Sequence, residues 1–456
     1  MTLNRRSATT WRPRAGGEAR APAGCPCPGR PQPDDQVERF DLVVLRAVLD
    51  VIQQCNLRCL YCHPGEVWRR QHLDAVRIRE VFAAAEQAGL LELVLSGGEI
   101  TMHPELADAL EATRLLQRTA STLITNATLV DDDTAAALGR SNLTRICVSI
   151  DGIDNETHGS ARGKNLRRVL DGLWRIRRTS KPVTVITVVH QRNVARVLEL
   201  SKWLAETGLA DQHHLCAPSY SGEAREHYDE LKLGLEDFFT LQRAVDAIHE
   251  QLRQRGLFVT FNSFWPATGC RSPVVDGGRT ITLQQLSEQV KDSLVHVRPN
   301  GEVRLAAASR GRETVGNAVI GDIHTTSAAE LFVIADRIYR EGAVGQLPRD
   351  VEAAHKFQIG AGANRRATDT LIDADDSPEH LVRLVPIRPL SALSLLDNPL
   401  DRAALAELAA MGSRDPDSVR CVRHATGVYL VFNRRRSHVT LIKPDEWPAF
   451  LALARP

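Results

Sequence analysis

The sequence lacks the features that would attach a protein to a membrane or export it. No apolar run approaches the ~18 residues of a membrane-spanning helix, and the arginine-rich start has no apolar segment of the kind found in secretion signals. A charge excess is also lacking, because 57 basic residues face 56 acidic ones. We therefore expect a cytoplasmic protein without membrane or nucleic-acid partners.

Cysteine is scarce too, with nine in 456 residues, which is too few for a disulfide scaffold. Three of them, Cys55, Cys59 and Cys62, nevertheless lie within "CNLRCLYC". Clustered cysteines in a reducing compartment are usually metal ligands or redox groups. Structural zinc takes four ligands, and His63 directly follows Cys62, where it is poorly placed to complete a tetrahedron. A [4Fe–4S] cluster held by three thiolates leaves one iron open for a chelating ligand, and we expect that arrangement.

Strands and helices alternate between residues 40 and 220. Six segments with the pattern of strands, from "VVLRAVLDVI" to "DQHHLCAP", alternate with amphipathic segments, and four of the six are rich in branched apolar residues. Such alternation predicts parallel strands joined by right-handed crossovers. Beyond residue 218 the pattern predicts a long amphipathic helix, a hairpin with an Asn-Gly turn and, near the end, a second hairpin followed by a short helix.

Polar residues and glycines follow several of these strands. Glycine permits close backbone approach, so Gly97 and Gly98 fit a tight site after the second strand, and Glu99 can accept hydrogen bonds from an amine. Asn126 follows the third strand, and Ser149 and Asp151 follow the fourth. A turn or a helix cap is the alternative at each position. His158 and His190 are expected to have ordinary packing or solvent roles.

The Cys-x3-Cys-x2-Cys spacing, with Tyr61 before the third cysteine, resembles the radical S-adenosylmethionine (SAM) superfamily over about residues 40–220. Gly-Gly-Glu and Ser-x-Asp-Gly elements follow in the family's order, although Ile100 replaces the usual proline. The resemblance implies an α/β fold, a partial (β/α)6 TIM-like barrel. It also implies one [4Fe–4S] cluster on Cys55, Cys59 and Cys62. SAM is then expected to contact Tyr61, Gly97, Gly98, Glu99, Asn126, Ser149, Asp151 and Arg162, although a solvated Arg162 is the alternative. A side chain added at Gly98 is expected to enter the space of the methionyl group.

The same resemblance implies an enzyme that cleaves SAM reductively and abstracts hydrogen from its substrate, with flavodoxin or ferredoxin as electron donor. We expect a ribosomal precursor peptide or another specialised-metabolite precursor as the substrate. The same chemistry on a sugar or nucleoside is one alternative. A non-catalytic scaffold that keeps the cluster is another.

Five segments are expected along the chain. The extension after the core resembles a degenerate SPASM/twitch-like cap, in which "LAAASR" (305–310) replaces the region of an auxiliary-cluster cysteine. The last segment resembles a small actinobacterial domain of unknown function, and its basic run Arg434-Arg435-Arg436 suggests docking of a protein partner; a closing element of the main fold is the alternative. The segments are a disordered Arg/Pro-rich tail (1–38), the core (39–218), the cap (219–345), an irregular linker (346–396) and a small C-terminal module with a hairpin and helix (397–456).

Overall fold

The computed structural model describes most of the predicted core and parts of the two segments that follow it. The described residues are 38–40, 44, 46–62, 69–216, 218, 222–233, 235–261, 273–276, 279–282, 294–305, 319–340, 399–424, 429–436, 438–442 and 444–453. The predicted tail up to residue 37, the predicted linker, His63 and "AAASR" lie outside them.

Sixteen strands lie within the described residues. They are β1 Glu38–Phe40, β2 Arg46–Ile52, β3 Glu92–Gly97, β4 Ala120–Thr125, β5 Arg145–Ser149, β6 Val183–Val188, β7 Gln212–Cys216, β8 Phe258–Phe261, β9 Pro273–Asp276, β10 Arg279–Thr282, β11 Leu294–Val297, β12 Glu302–Leu305, β13 Val319–Asp322, β14 Val419–His424, β15 Tyr429–Asn433 and β16 His438–Ile442.

Eleven α-helices lie within the described residues, and eight of them connect strands β2 to β8. They are α1 Ala75–Ala88, α2 Leu106–Ala112, α3 Asp132–Arg140, α4 Gly159–Arg162, α5 Leu166–Arg177, α6 Val197–Thr207, α7 Ala224–Leu231, α8 Leu235–Gln254, α9 Ala328–Arg340, α10 Pro399–Arg414 and α11 Trp447–Leu453. In the described part of the chain no helix is both long and apolar enough to cross a membrane.

One ten-stranded sheet organises the core, in the order β13-β12-β11-β2-β3-β4-β5-β6-β7-β8. Strands β2 to β7 are the six predicted strands, and each pairs in parallel with the next. The fold is therefore the expected α/β arrangement of a partial TIM-like barrel. The predicted hairpin forms β11 and β12, and β11 joins the sheet beside β2 in parallel. Strand β8 is a seventh consecutive parallel strand that the pattern did not reveal.

The two faces of this sheet differ in burial. Leu49, Leu95 and Leu123 are fully buried and belong to the apolar core with the helices. Their strand neighbours Val48 and Val94 point to the opposite face and are only half-buried. We call this second side the inner face. Because active sites of TIM-like barrels lie at the carboxyl ends of the strands, the inner face and that edge are where ligands are expected.

A second sheet, in the order β1-β14-β15-β16, forms near the end of the chain. Its first strand, Glu38–Phe40, pairs in parallel with β14. The first described strand therefore begins one residue before the predicted core, at Glu38 of the predicted tail. Arg420 Nη1 donates to the carbonyl of Leu90 at 3.0 Å, and Arg434 Nη2 donates to the carbonyl of Gln117 at 3.1 Å. Leu90 and Gln117 precede β3 and β4. The C-terminal sheet therefore covers the amino ends of the barrel strands, the edge opposite the cysteine loop.

The predicted basic run is largely engaged in these contacts. Arg434 and Arg436 are only half-buried rather than fully exposed, and Arg435 alone is exposed. The guanidinium of Arg436 lies 4.2 Å from the ring centre of Phe258 and pairs with Glu407 at 2.9 Å. Two of the three arginines are therefore held in place. Arg434 donates to the carbonyl of Gln117, and Arg436 contacts the ring of Phe258 and the carboxylate of Glu407 in α10.

Candidate functional site

The loop that follows β2 carries the three clustered cysteines, each a free, half-buried thiol. The N–H of Cys62 donates to the carbonyl of Cys59 at 3.0 Å, which folds this part of the loop into a turn. The N–H of Leu60 donates to the carbonyl of Ala161 at 2.9 Å. The loop is therefore tied to α4 and lies at the carboxyl end of the first barrel strand, as expected for a site in this fold.

Burial controls the protonation of these thiols. It raises the pKa of Cys55 to about 11 and also raises the pKa of Cys59, where the charge of Arg162 opposes the shift. Metal binding must therefore release protons from both groups. Within the described ranges, no three His, Cys, Asp or Glu side chains converge on a point that would suit a single metal ion. A [4Fe–4S] cluster does not require such convergence, because each thiolate binds a different iron.

Gly97 and Gly98 end β3 against the backbone that leads into the cysteine loop. Gly97 has φ +144°, and a Cβ there would lie 2.3 Å from the carbonyl oxygen of Ile52. A Cβ on Gly98 would lie 2.3 Å from the carbonyl oxygens of both Gln53 and Gln54. The expectation that a Gly98 side chain would enter the methionyl space is therefore wrong, because the chain's own backbone occupies that direction.

Glu99 is a buried carboxylate, 2 % exposed, that is surrounded by neutral donors. Its Oε1 accepts from the hydroxyls of Thr101 and Thr125, each at 2.6 Å. Its Oε2 accepts from the backbone N–H of Asn126 at 2.7 Å. No described cation forms an ion pair with it, so its charge can attract a positively charged amine.

Asn126 lies between Glu99 and the cysteine loop. Its amide Nδ2 donates to Asn56 Oδ1 at 2.9 Å and lies 3.9 Å from the Sγ of Cys55. The sequence did not single out Asn56, although an amide directly after the first clustered cysteine was an available signal. The structure therefore brings Asn126 to the cysteines as well as to Glu99.

Tyr61, Asp151 and Arg162 form a second group on the other side of the loop. The hydroxyl of Tyr61 donates to Asp151 Oδ2 and accepts from Arg162 Nη1, the latter at 2.7 Å. Burial raises the pKa of Asp151, although the charge of Arg162 opposes this shift. Arg162 is 8 % exposed, and its Nε has no partner among the described residues. A solvated Arg162, the alternative left by the sequence, is therefore excluded.

The remaining predicted residues differ in their surroundings. Ser149 is half-buried at the end of β5, and its hydroxyl makes no hydrogen bond with the described part of the chain. His158 bonds the N–H of Asp151 and the side chain of Asn165, and burial lowers its pKa to about 4. His158 therefore has the expected packing role. The ring of His190 lies 6.0 Å from that of Tyr61.

A buried pair on the inner face had no signal in the sequence. His296 Nε2 on β11 lies 2.7 Å from Asp50 Oδ2 on β2, and the two residues are 246 positions apart. Both are less than a tenth exposed. The pairing of β11 with β2 brings them together, so the extension contributes a polar group to the inner wall of the barrel.

Comparisons with known proteins agree with this geometry. Residues 49–204 match the model of the radical SAM superfamily. PqqA peptide cyclase from Gluconobacter oxydans is 30% identical over 203 residues, which cover 43% of this chain and 56% of that protein. GTP 3',8-cyclase from Rhodococcus opacus is 28% identical over 189 residues, which cover 40% of this chain and 54% of that protein. The chain thus spans about half the length of the curated relatives it matches.

Solved structures share the fold. Crystal structures of Streptococcus suis SuiB, bound to S-adenosylmethionine and to the precursor peptide SuiA, give TM-scores of 0.53 and 0.54 at 18% and 17% identity. Each comparison covers 69% of this chain, and 71% and 70% of the SuiB chains. Identities this low support a shared fold alone.

The described residues fit the two cofactors of this superfamily. Three free thiols in one loop are suitable donors for a [4Fe–4S] cluster. The buried carboxylate of Glu99, which has neutral partners, suits the amine of SAM. The guanidinium of Arg162 has an unpartnered Nε and can therefore donate a further hydrogen bond. The donor groups in this part of the chain therefore suit a [4Fe–4S] cluster and SAM. Residues 49–204 of the chain are therefore similar to the radical SAM superfamily in both sequence and site geometry.

Proposed function

We propose that this protein is a radical SAM enzyme with one [4Fe–4S] cluster that modifies a ribosomally made peptide. The observation that carries the proposal is the cysteine loop at the carboxyl end of β2, directly beside Gly98 and Glu99. When bound and reduced, the cluster and SAM would supply the radical chemistry that abstracts hydrogen from the substrate. The protein's own contribution is to hold these groups and to exclude water.

We assign the residues to roles by their surroundings. Cys55, Cys59 and Cys62 bind three irons. Glu99 attracts the amine of SAM with a charge that its neutral partners leave uncompensated. Arg162 keeps one hydrogen bond to Tyr61 and directs its other donors at the SAM carboxylate.

Five further residues complete the SAM site in this proposal. Ser149, with a hydroxyl that has no described partner, bonds the ribose. Tyr61 would contact SAM, and Asp151 holds its hydroxyl in place. Gly97 and Gly98 let the backbone of β3 approach the cysteine loop.

A peptide substrate is supported by the nature of the similar proteins. One relative is named a peptide cyclase, and SuiB has been crystallised with a precursor peptide. The half-buried apolar residues of the inner face, such as Val48 and Val94, suit peptide side chains. The reductant is a small electron-transfer protein such as flavodoxin or ferredoxin.

A nucleotide substrate is the second candidate, because several relatives are named GTP 3',8-cyclase. Three arginines of the inner face are already paired with carboxylates. Arg46 and Arg145 both pair with the buried Glu92, each at 3.3 Å. Arg304 on β12 pairs with Glu302. A triphosphate needs cations that are not already neutralised in this way.

Anaerobic reconstitution tests the chemistry. We expect about four irons and four sulfides per chain and reductive conversion of SAM to 5′-deoxyadenosine. Replacing Cys55, Cys59 or Cys62 by Ala should abolish both. Cys421→Ala is the matched control, because this half-buried thiol lies in the C-terminal sheet. A chain with about eight irons contradicts the single cluster, and a loaded cluster that never cleaves SAM supports the scaffold alternative.

The substrate class is tested by presenting both candidates to the reduced, loaded protein. Peptides encoded by short reading frames beside the gene are compared with GTP, each deuterated at carbon. Transfer of deuterium into 5′-deoxyadenosine identifies the substrate. Transfer from GTP alone would reject the peptide assignment.

A further inference from the structure

A ring of three hydrogen-bonded side chains lies next to Cys55. Asn126 Nδ2 donates to Asn56 Oδ1 at 2.9 Å, and Asn56 Nδ2 donates to Thr128 Oγ1 at 2.8 Å. The hydroxyl of Thr128 donates to Asn126 Oδ1 at 2.6 Å and closes the ring. Every member donates to the next and accepts from the one before. We call this group the amide ring.

The amide ring determines which end of the Asn126 side chain faces the Sγ of Cys55. The two ends of an asparagine side chain are distinguished only by their hydrogen bonds. The backbone N–H of Thr128, which can only donate, contacts Asn126 Oδ1 at 3.0 Å. The oxygen of Asn126 therefore faces Thr128, and its amino group faces the loop. One N–H of that group bonds Asn56, and the other faces Cys55 Sγ at 3.9 Å.

Two further contacts make this arrangement rigid. The backbone N–H of Leu57 also donates to Cys55 Sγ, at 3.3 Å, so two N–H groups face one sulfur. The backbone N–H of Asn126 donates to Glu99 at 2.7 Å. Asn126 and Thr128 are 5 % and 7 % exposed, so water cannot easily replace the side-chain donors. The group that faces the cysteine is therefore held from both ends.

We propose that Asn126, oriented by Asn56 and Thr128, is a positioning residue that raises the reduction potential of the cluster through its N–H group at the Cys55 sulfur. Reduction adds one electron from the external reductant and makes the cluster and its sulfurs more negative. An N–H donor stabilises the reduced state more than the oxidised state, and hydrogen bonds to sulfur are among the factors that set such potentials. The inference rests on the proposed role of Cys55 as a cluster ligand.

Asn126→Leu tests this directly, because leucine is neutral, fills the space against water and donates no hydrogen bond. We expect the loaded variant to keep about four irons. In an EPR-monitored redox titration its midpoint should move to a more negative potential. At the wild-type midpoint the ratio of reduced to oxidised cluster should fall about tenfold, which equals about 59 mV for one electron.

Asn142→Leu is the matched control. Asn142 also donates its amide, to the carbonyl of Leu116 at 2.6 Å, but it lies in the loop before β5, at the opposite edge of the sheet. The same substitution there should leave the midpoint unchanged. An equal shift in both variants would mean that the effect is not local and would overturn the proposal.

Thr128→Val supplies a second, milder change, since it opens the amide ring without touching the groups next to the sulfur. We expect a smaller shift of the midpoint in the same direction. If Asn126→Leu does not retain iron, the midpoint of Thr128→Val is the test of the proposal. A merely structural role predicts lost iron with a wild-type midpoint in the clusters that remain. That result, or a wild-type midpoint in iron-loaded variants, overturns the inference. A cluster that persists in Cys55→Ala would instead overturn the proposed function.

Discussion

Gly98→Ala is expected to remove the cluster, and not simply to weaken SAM binding. The new Cβ would lie 2.3 Å from the carbonyl oxygens of Gln53 and Gln54, whereas ordinary contacts begin at 3.4 Å. Both oxygens belong to backbone, and both must retreat by about 1 Å. The N–H of Gln53 donates to the carbonyl of Gln71 at 2.8 Å, which holds Gln53 in place. Gln54 accepts from the N–H of Glu99 at 2.9 Å.

The cost of this movement has two parts. Forcing an extra carbon into a packed site costs about 1–3 kcal/mol of folding free energy. The second part is positional, because Gln54 directly precedes Cys55. A displacement of about 1 Å is enough to impair a site that depends on fixed geometry. We therefore expect a folded protein that binds far less iron and cleaves little SAM.

The assay combines anaerobic reconstitution, iron and sulfide analysis and urea unfolding. Gly139→Ala is the matched control, because a Cβ there would lie 3.5 Å from Thr179, an ordinary contact inside α3. Alanine in a helix interior should stabilise the control by about 0.5–1 kcal/mol and leave its iron content unchanged. Wild-type iron content and EPR spectrum in Gly98→Ala would refute the argument from close backbone approach.

Two further predictions concern stability, measured by urea unfolding of the cluster-free chain. Arg436→Ala should lose about 1–2 kcal/mol through its contacts with Phe258 and Glu407, whereas the exposed Arg435→Ala should change stability by at most about 0.5 kcal/mol; equal effects would mean that the C-terminal sheet is not anchored by Arg436. Burial lowers the pKa of His213 to about 3, so the unfolded chain takes up a proton first as the pH falls below about 6.5. Burial of this neutral histidine should therefore lower the free energy of unfolding at pH 5 by about 2 kcal/mol relative to its value above pH 7. His213→Asn should reduce the pH dependence of the unfolding free energy by that amount, and an unchanged pH dependence would exclude a neutral, buried His213.

Local patterns in the sequence were sufficient for much of the fold. The alternation of strand-like segments with amphipathic segments predicted strands β2 to β7 and their parallel pairing. Helix α1 ends at Gly89, which adopts φ 74°, a left-handed conformation that favours glycine. These features depend on neighbours a few residues apart, which is the range over which periodicity and capping act.

The contacts of the C-terminal module could not be read in the same way. Its hairpin and short helix were predicted from local pattern, but its position at the amino ends of the barrel strands was not. That position depends on Arg420 and Arg434 meeting carbonyls of Leu90 and Gln117, which are more than three hundred residues away in the chain. No local pattern marks a backbone carbonyl as the partner of a distant arginine.

At the site, the sequence by itself determined which residue types arrive at the carboxyl edge of the sheet: the three cysteines, Gly98 and Glu99. Only the tertiary structure decided what each of them faces. It turned Gly98 toward the backbone of Gln53, and it brought Asn56 of the cysteine loop against Asn126 of the third barrel strand. Spacing determines position along a strand, whereas the direction and partner of a side chain are determined by the segments that fold against it.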